Sequence, residues 1–239
     1  MADGTASRGT LYGLGVGPGD PELLTLKALR ILRAAPVLAY PAPPKGDSMA
    51  RAIAAPHLPG GQTEIAIRMP LDAARFPAEE VYAAAARDIA GHLEAGRDVA
   101  ALCEGDPFFY GSFMYLFGRL APAHSVEVVP GVSSPMACAA ALGVPLAARN
   151  DVLSVLPAPL AEDLLKARLA ECDAAAIVKV GRHVAKVRRV LREFGLEARA
   201  RYIERAGLAA ERILPLSEAA DPAPYFSMVL VHRRGAAWA

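Results

Sequence analysis

Gly13-Leu14-Gly15-Val16-Gly17-Pro18-Gly19-Asp20-Pro21 carries the chain from a short apolar run into a helical pattern. The same passage recurs at Gly105-Asp106-Pro107 and at Gly131-Val132-Ser133-Ser134-Pro135. Each reads as a strand leading through a glycine turn into a helix. Aspartate or serine at the N-cap accepts from the first unpaired backbone amides, and proline in the first turn gives up an amide that would have no partner there. Such junctions gather at the carboxyl edge of an open α/β sheet, where small ligands and cofactors bind. Function is therefore sought along that edge.

On either side of these junctions the apolar pattern alternates between strand and helix. Residues 10–15 read as a buried strand, 23–32 as a helix and 37–40 as a second strand. Pro41-Ala42-Pro43-Pro44 then reads as a loop, because proline removes ladder donors and is excluded from central strands. A helix over 47–55, an extended piece over 64–68, a loop over 69–77 and an alanine-rich helix over 79–94 follow. A strand over 98–103 leads into an aromatic-rich helix over 107–120. Alternation of this kind predicts a mostly parallel sheet. The pattern restarts around Ala121-Pro122-Ala123, with strands over 126–129, 152–156 and 174–180 and helices over 135–142, 160–170 and 183–194. Three extended segments, 198–204, 212–216 and 225–232, close the chain in a hairpin-like manner. The expected organisation is an N-terminal mostly parallel α/β domain over 1–122 and a C-terminal α+β domain with a mixed sheet over 123–239.

Composition narrows the function. The 239 residues are 54% hydrophobic with a net charge of +1, and no basic block or basic stripe interleaved with aromatics is present, which argues against nucleic acid as a partner. Arginine outnumbers lysine roughly four to one, which genomic composition accounts for, although arginine also suits bidentate carboxylate recognition. Cys103, Cys138 and Cys172 fit neither a disulfide framework nor a zinc pattern, and the five histidines have no ligand spacing, so no metal is expected. With no signal-peptide core and no apolar run of membrane-spanning length, a cytoplasmic protein without a membrane partner is expected.

The glycine loop invites comparison with a dinucleotide fingerprint, but Pro18 occupies the third glycine position. The second strand also ends in Tyr40-Pro41 rather than in an acid for the ribose. What remains is an open loop that lets backbone approach a ligand or simply a neighbouring segment. Leu102-Cys103-Glu104-Gly105-Asp106-Pro107 sets two carboxylates at a strand end. Asp106 reads as a helix cap, whereas Glu104 is either a solvated surface group or an acceptor for ribose hydroxyls or an ammonium. Tyr110, beside Gly111, is the catalytic candidate, able to orient a substrate or relay a proton. Phe108, Phe109, Phe113 and Phe117 near it, at near-helical spacing, read as core more readily than as site residues.

Together, Gly15-Val16-Gly17-Pro18-Gly19-Asp20, Gly105-Asp106-Pro107 and Val129-Pro130-Gly131-Val132-Ser133-Ser134, at these separations, resemble the tetrapyrrole methylases of cobalamin and sirohaem biosynthesis. Tyr12-Gly13-Leu14-Gly15, leading into Leu23-Leu24-Thr25-Leu26-Lys27-Ala28, and Glu104-Gly105-Asp106-Pro107-Phe108-Phe109-Tyr110-Gly111-Ser112-Phe113 are similar to the form in the subgroup that methylates C-20 of precorrin-2. The resemblance implies a two-domain fold with the active-site cleft between the domains, S-adenosylmethionine held there, and a homodimer. It implies methyl transfer to a bridging carbon of the tetrapyrrole, giving precorrin-3A and S-adenosylhomocysteine. The family's cofactor contacts fall here on Pro18, Glu104, Gly105, Asp106, Phe109, Ser133, Ser134, Val180 and Ala206. At Glu104 many relatives carry glycine. Because precorrin-2 is a polycarboxylate, Arg68, Arg75 and Arg149 are the expected substrate-binding residues. Cobalt-factor II, uroporphyrinogen III and a modified protein side chain are alternative substrates within the same fold. A non-catalytic nucleotide-binding module is the alternative outside the enzyme class.

Overall fold

The computed structural model describes residues 8–70, 79–235 and 237. By its internal contacts the chain divides into Met1–Ser133 and Ser134–Ala239.

The first unit is built on five parallel strands, β1 (Thr10–Gly15), β2 (Val37–Ala42), β3 (Thr63–Arg68), β4 (Val99–Cys103) and β5 (Ser125–Val129), in the order β3-β2-β4-β1-β5. Its helices are α1 (Leu26–Ala34), α2 (Met49–Ala54), α3 (Glu79–Glu94) and α4 (Phe113–Leu120). Successive strand residues face opposite ways. Leu14, Leu38, Ala100 and Leu102 pack against Ala28, Leu32 and Ile53 of α1 and α2. Leu11, Ala39, Val99 and Ala101 pack against Tyr82, Ile89, Phe113 and Leu116 of α3 and α4. Burial on both faces explains why the central β4 reads as an unbroken apolar run. Gly13 is required by this packing, since a Cβ there would lie 2.5 Å from the Phe113 ring.

The strand order brings two of the motif turns together. From β1 the chain crosses through α1 toward β2, and from β4 it crosses through α4 in the other direction, to β5. The two connections cross on opposite faces of the sheet, and open α/β sheets bind ligands in a crevice at the carboxyl ends of their strands. Here that crevice is bounded by the turns after Gly15 and Cys103.

The second unit holds β6 (Leu153–Pro157), β7 (Ala174–Val178), β8 (Arg201–Glu204), β9 (Arg212–Leu214) and β10 (Ser227–His232), in the order β6-β7-β10-β8-β9. Only β6 and β7 run parallel. On one face lie α6 (Glu162–Ala170) and α7 (Val184–Glu193), with Leu165, Leu169, Val184, Val187 and Leu191 against Ile177, Tyr202 and Val229. On the other face α5 (Ser134–Leu142) sets Cys138 and Ala139 against Ala176, Ile203 and Leu230. Cys103, Cys138 and Cys172 are all free and buried. No described helix is long and apolar enough to cross a membrane.

Three sequence expectations are corrected. The division falls after Ser133 rather than at 122, because β5 pairs with β1 and so belongs to the first sheet. Ala121-Pro122-Ala123 is merely the turn that ends α4, closed by His124 N donating to the Leu120 carbonyl at 2.9 Å. Strand β2 runs through Pro41, which is tolerated because pairing with β4 stops at Ala39 and only β3 accompanies the later residues. Helix α4 begins at Phe113 rather than at Pro107, because the chain first makes a tight turn in which Tyr110 adopts φ 57°.

Helix α4 also supplies a stability prediction. Gly118 is exposed in its interior, and a Cβ there would meet nothing within 4 Å. Gly118→Ala is expected to stabilise the chain by about 0.5–1 kcal/mol, read as a higher denaturant midpoint at unchanged slope.

Candidate functional site

Three turns meet at the carboxyl edge of the first sheet. Val16 N donates to the Cys103 carbonyl at 2.9 Å, and Gly17 and Gly105 exchange backbone bonds of 3.3 and 2.8 Å. Gly15 and Gly131 leave no room for side chains. A Cβ on Gly131 would sit 2.2 Å from the Gly105 carbonyl oxygen, and one on Gly15 would sit 2.5 Å from Gly131 N. The glycines of the three motifs are therefore in backbone contact, and their absent side chains are what permits it.

Asp106 ties the arrangement together. No helix starts at Pro107, so Asp106 is not the cap that the sequence suggests. Its Oδ1 accepts from Phe108 N at 2.9 Å, and its Oδ2 accepts from Gly131 N at 3.0 Å, joining the β4 turn to the β5 turn. Glu104 is mostly withdrawn from water, and its Oε1 accepts from Ala50 N at 3.2 Å near the start of α2. Burial raises its pKa above the ordinary carboxylate value, while the amides of Glu104 and Ala50 oppose that shift. Phe109 and Tyr110 follow, partly exposed, with their rings edge to face at 5.1 Å. Pro18, Glu104, Gly105, Asp106, Phe109 and Tyr110 thus belong to one rim, with Ser133 two residues beyond Gly131.

In the second unit Ser134 opens α5. Val180 follows β7 and Ala206 follows β8, and both are buried. Strand β10 runs antiparallel to both, so the ends of β7 and β8 share one edge with its beginning. Arg205 N donates to the Phe226 carbonyl at 2.7 Å, and Ala223 N donates to the Gly181 carbonyl at 3.1 Å, lacing that edge together. Tyr225 and Phe226, exposed and edge to face at 5.0 Å, stand on it.

The arginines fare differently. Arg68 lies at the end of β3 on the rim side, but its Nη1 is engaged by the Pro43 carbonyl at 2.9 Å and the Gly46 carbonyl at 3.4 Å, where it fastens the proline-rich loop. Arg149 does not join Val180 and Ala206. Its turn is closed by Ala148 N donating to Asp151 Oδ2 at 2.7 Å, and Asp151 is held by His232 and Arg234. His232 ends β10 opposite Ala174, the first residue of β7, so Arg149 lies toward the other edge of that sheet. The Ala148 amide, His232 and Arg234 together hold the Asp151 carboxyl at about 2. Arg75 lies outside the described residues.

Left-handed backbone falls at or beside several candidate residues, a pattern that the sequence does not show. Among the described residues, the non-glycine residues with positive φ are Tyr110, Arg149, Lys179 and Arg205, at 57°, 49°, 57° and 52°. Tyr110 and Arg149 are site candidates, and Lys179 and Arg205 immediately precede Val180 and Ala206. Left-handed backbone at such residues persists only where surrounding structure imposes it, and it concentrates at functional sites.

The family model of the tetrapyrrole (corrin/porphyrin) methylases matches residues 10–220. The chain belongs to this family. It is 46% identical over 235 residues to the cobalamin biosynthesis protein CobIJ of Mycobacterium tuberculosis, covering 95% of this chain and 46% of that protein. The chain thus spans about half the length of that curated relative. It is 44% identical over 232 residues to the precorrin-2 C(20)-methyltransferase of a Sinorhizobium species, covering 93% and 95% of the two chains. The uroporphyrin-III C-methyl transferase of Thermus thermophilus, solved with S-adenosylhomocysteine, shares the fold with a TM-score of 0.69 at 26% identity, covering 93% and 97% of the two chains.

Proposed function

We propose that the chain is an S-adenosylmethionine-dependent methyltransferase that places a methyl group on C-20 of precorrin-2, giving precorrin-3A. The observation that carries this reading is the 44% identity, across nearly the whole of both chains, to a relative named for that reaction. The rim chemistry fits the donor. S-adenosylmethionine is a cation bearing an ammonium and ribose hydroxyls, and the glycine turns offer the carboxylates Glu104 and Asp106 together with closely packed backbone.

The donor supplies an electrophilic methyl on a sulfonium whose thioether leaving group is neutral and needs no proton, so alignment carries most of the barrier reduction. The residues accordingly bind and orient. Glu104 accepts from hydroxyl or ammonium, and Asp106 fixes the turns that bring Pro18 and Gly105 against the ligand. Phe109 supplies a flat face, and Tyr110, held in its strained conformation, orients the substrate. Ser133, Ser134, Val180 and Ala206 complete the proposed cofactor set. With the donor bound, these residues would hold its methyl in line with C-20, and the proton that C-20 gives up on methylation would leave with no side chain assigned to take it. Arg68 remains a proposed carboxylate contact only if it leaves the Pro43 and Gly46 carbonyls, and Arg149 only if a substrate carboxylate reaches its turn. The same reading includes a homodimer in the cytoplasm.

Incubation with precorrin-2 and isotopically labelled S-adenosylmethionine tests the proposal. Label at C-20 supports it, and label elsewhere or none overturns it; a parallel incubation with the cobalt-containing substrate separates the two C-20 activities. Glu104→Gln gives a second test. The amide still accepts from Ala50, but S-adenosylhomocysteine affinity is expected to fall about tenfold by calorimetry, the loss of one charge-assisted bond. The raised pKa of Glu104 means that its contribution to stability is largest below the unfolded carboxylate value and is lost as pH rises through the folded value. Glu104→Gln is therefore expected to melt higher than the unaltered chain at neutral pH and to lose that advantage in acid.

A further inference from the structure

Helix α2 was invisible as a functional element in the sequence, yet its backbone holds Glu104. Its N-cap, Ser48, is buried and accepts from Arg51 N at 3.2 Å. From the same helix Arg51 reaches back to β3, where Nε and Nη2 grip Glu64 at 2.9 and 2.8 Å in a two-pronged pair. Glu64 Oε2 also accepts from Tyr40 OH on β2 at 2.5 Å. Arg51 holds the Glu64 carboxyl below its ordinary range, so the pair stays ionised through neutral pH. The pair is partly exposed, and such pairs add little to global stability. Its planar geometry nevertheless fixes a direction, and the amide of the preceding residue, Ala50, is the one that reaches Glu104.

We propose that Arg51 is a positioning residue: clamped between Glu64 and Tyr40, it fixes α2 so that the Ala50 amide orients the Glu104 carboxylate at the rim. The titratable groups near Glu104 are otherwise committed. Cys103 precedes it on β4 as a buried thiol, Asp106 is engaged with Phe108 and Gly131, and Arg51 itself faces Glu64. The Ala50 amide is then the adjustable influence on Glu104.

The ligand-binding consequence rests on the proposed S-adenosylmethionine site, whereas the orientation of Glu104 does not. The test uses the full chain labelled with carboxyl-carbon-13 glutamate, with the Glu104 resonance assigned by its disappearance in Glu104→Gln. In Arg51→Ala the titration midpoint of Glu104 is expected to move upward, because the carboxylate loses its amide partner; Arg51→Lys, which cannot make the planar pair, falls between. Affinity for S-adenosylhomocysteine is expected to drop about fivefold in Arg51→Ala and to show no further drop when that change is added to Glu104→Gln. An unmoved midpoint, or losses that simply add, overturns the proposal. Glu64→Gln breaks the same clamp from the strand side and must move the midpoint in the same direction should Arg51→Ala fail to fold. If the unaltered chain does not bind S-adenosylhomocysteine, the cofactor assignment fails, and the resonance midpoint still decides the role of Arg51.

Discussion

Gly131→Ala is expected to cost about 3 kcal/mol or more in unfolding free energy, at the upper end of what overpacking imposes. The added methyl would lie 2.2 Å from the Gly105 carbonyl oxygen and 2.8 Å from the Gly15 Cα, and both obstacles are backbone. No rotamer change relieves such a clash, so the turns after β1, β4 and β5 must separate. Roughly 6–12 °C should be lost from the melting temperature of a chain this size, and affinity for S-adenosylhomocysteine should fall with it. The positive control is Gly118→Ala, the same chemical change where nothing stands in the way. A Gly131→Ala variant that melts at the unaltered temperature would mean that the three turns do not share this contact.

Asp106→Ala is expected to have an effect of the same order by the opposite route, removal rather than intrusion. Two backbone amides, Phe108 N and Gly131 N, lose their acceptors together. Bonds from amides to a charged carboxylate contribute about 1.5–3 kcal/mol each, so a total near 3 kcal/mol is expected after water takes part of the load. Asp106→Asn should recover about half of the loss, since its one carbonyl oxygen can serve only one of the two amides. Urea titration of both variants measures these losses. Equal stability of the Ala and Asn variants would remove Asp106 from the role of joining the turns.

Much of the fold was legible because local patterns carried it. The unbroken apolar runs before Gly15 and Glu104, and the helical spacing over 79–94, translate directly into β1, β4 and α3. Where local rules were read too literally they failed. Proline at position 41 argued against a strand, yet β2 continues through it because its neighbour on one side has already ended. Asp106 followed by proline looks like any helix start, but its Oδ1 closes a local turn and its Oδ2 serves a turn 25 residues away. Pro122 looked like a linker, although the strand that follows completes the first sheet. The site was legible as motifs and not as connections. Glycine spacing pointed to the rim, whereas the bond from Ala50 to Glu104 spans 54 residues and leaves no periodic trace. The displacement of Arg149 to the far edge of its sheet likewise follows from the reversed course of β10, which no residue near Arg149 announces.

Cys103 lies on β4 in the first unit, and Cys138 and Cys172 lie in the second. Burial keeps all three thiols protonated, with Cys138 pushed up to about 12. A covered, protonated sulfur reacts only during an excursion that uncovers it. Alkylation is therefore a clock for breathing. Mass added at Cys103 times the loosening of the parallel sheet and mass added at Cys138 or Cys172 that of the mixed one, so each half of the chain carries its own native reporter without any engineered label.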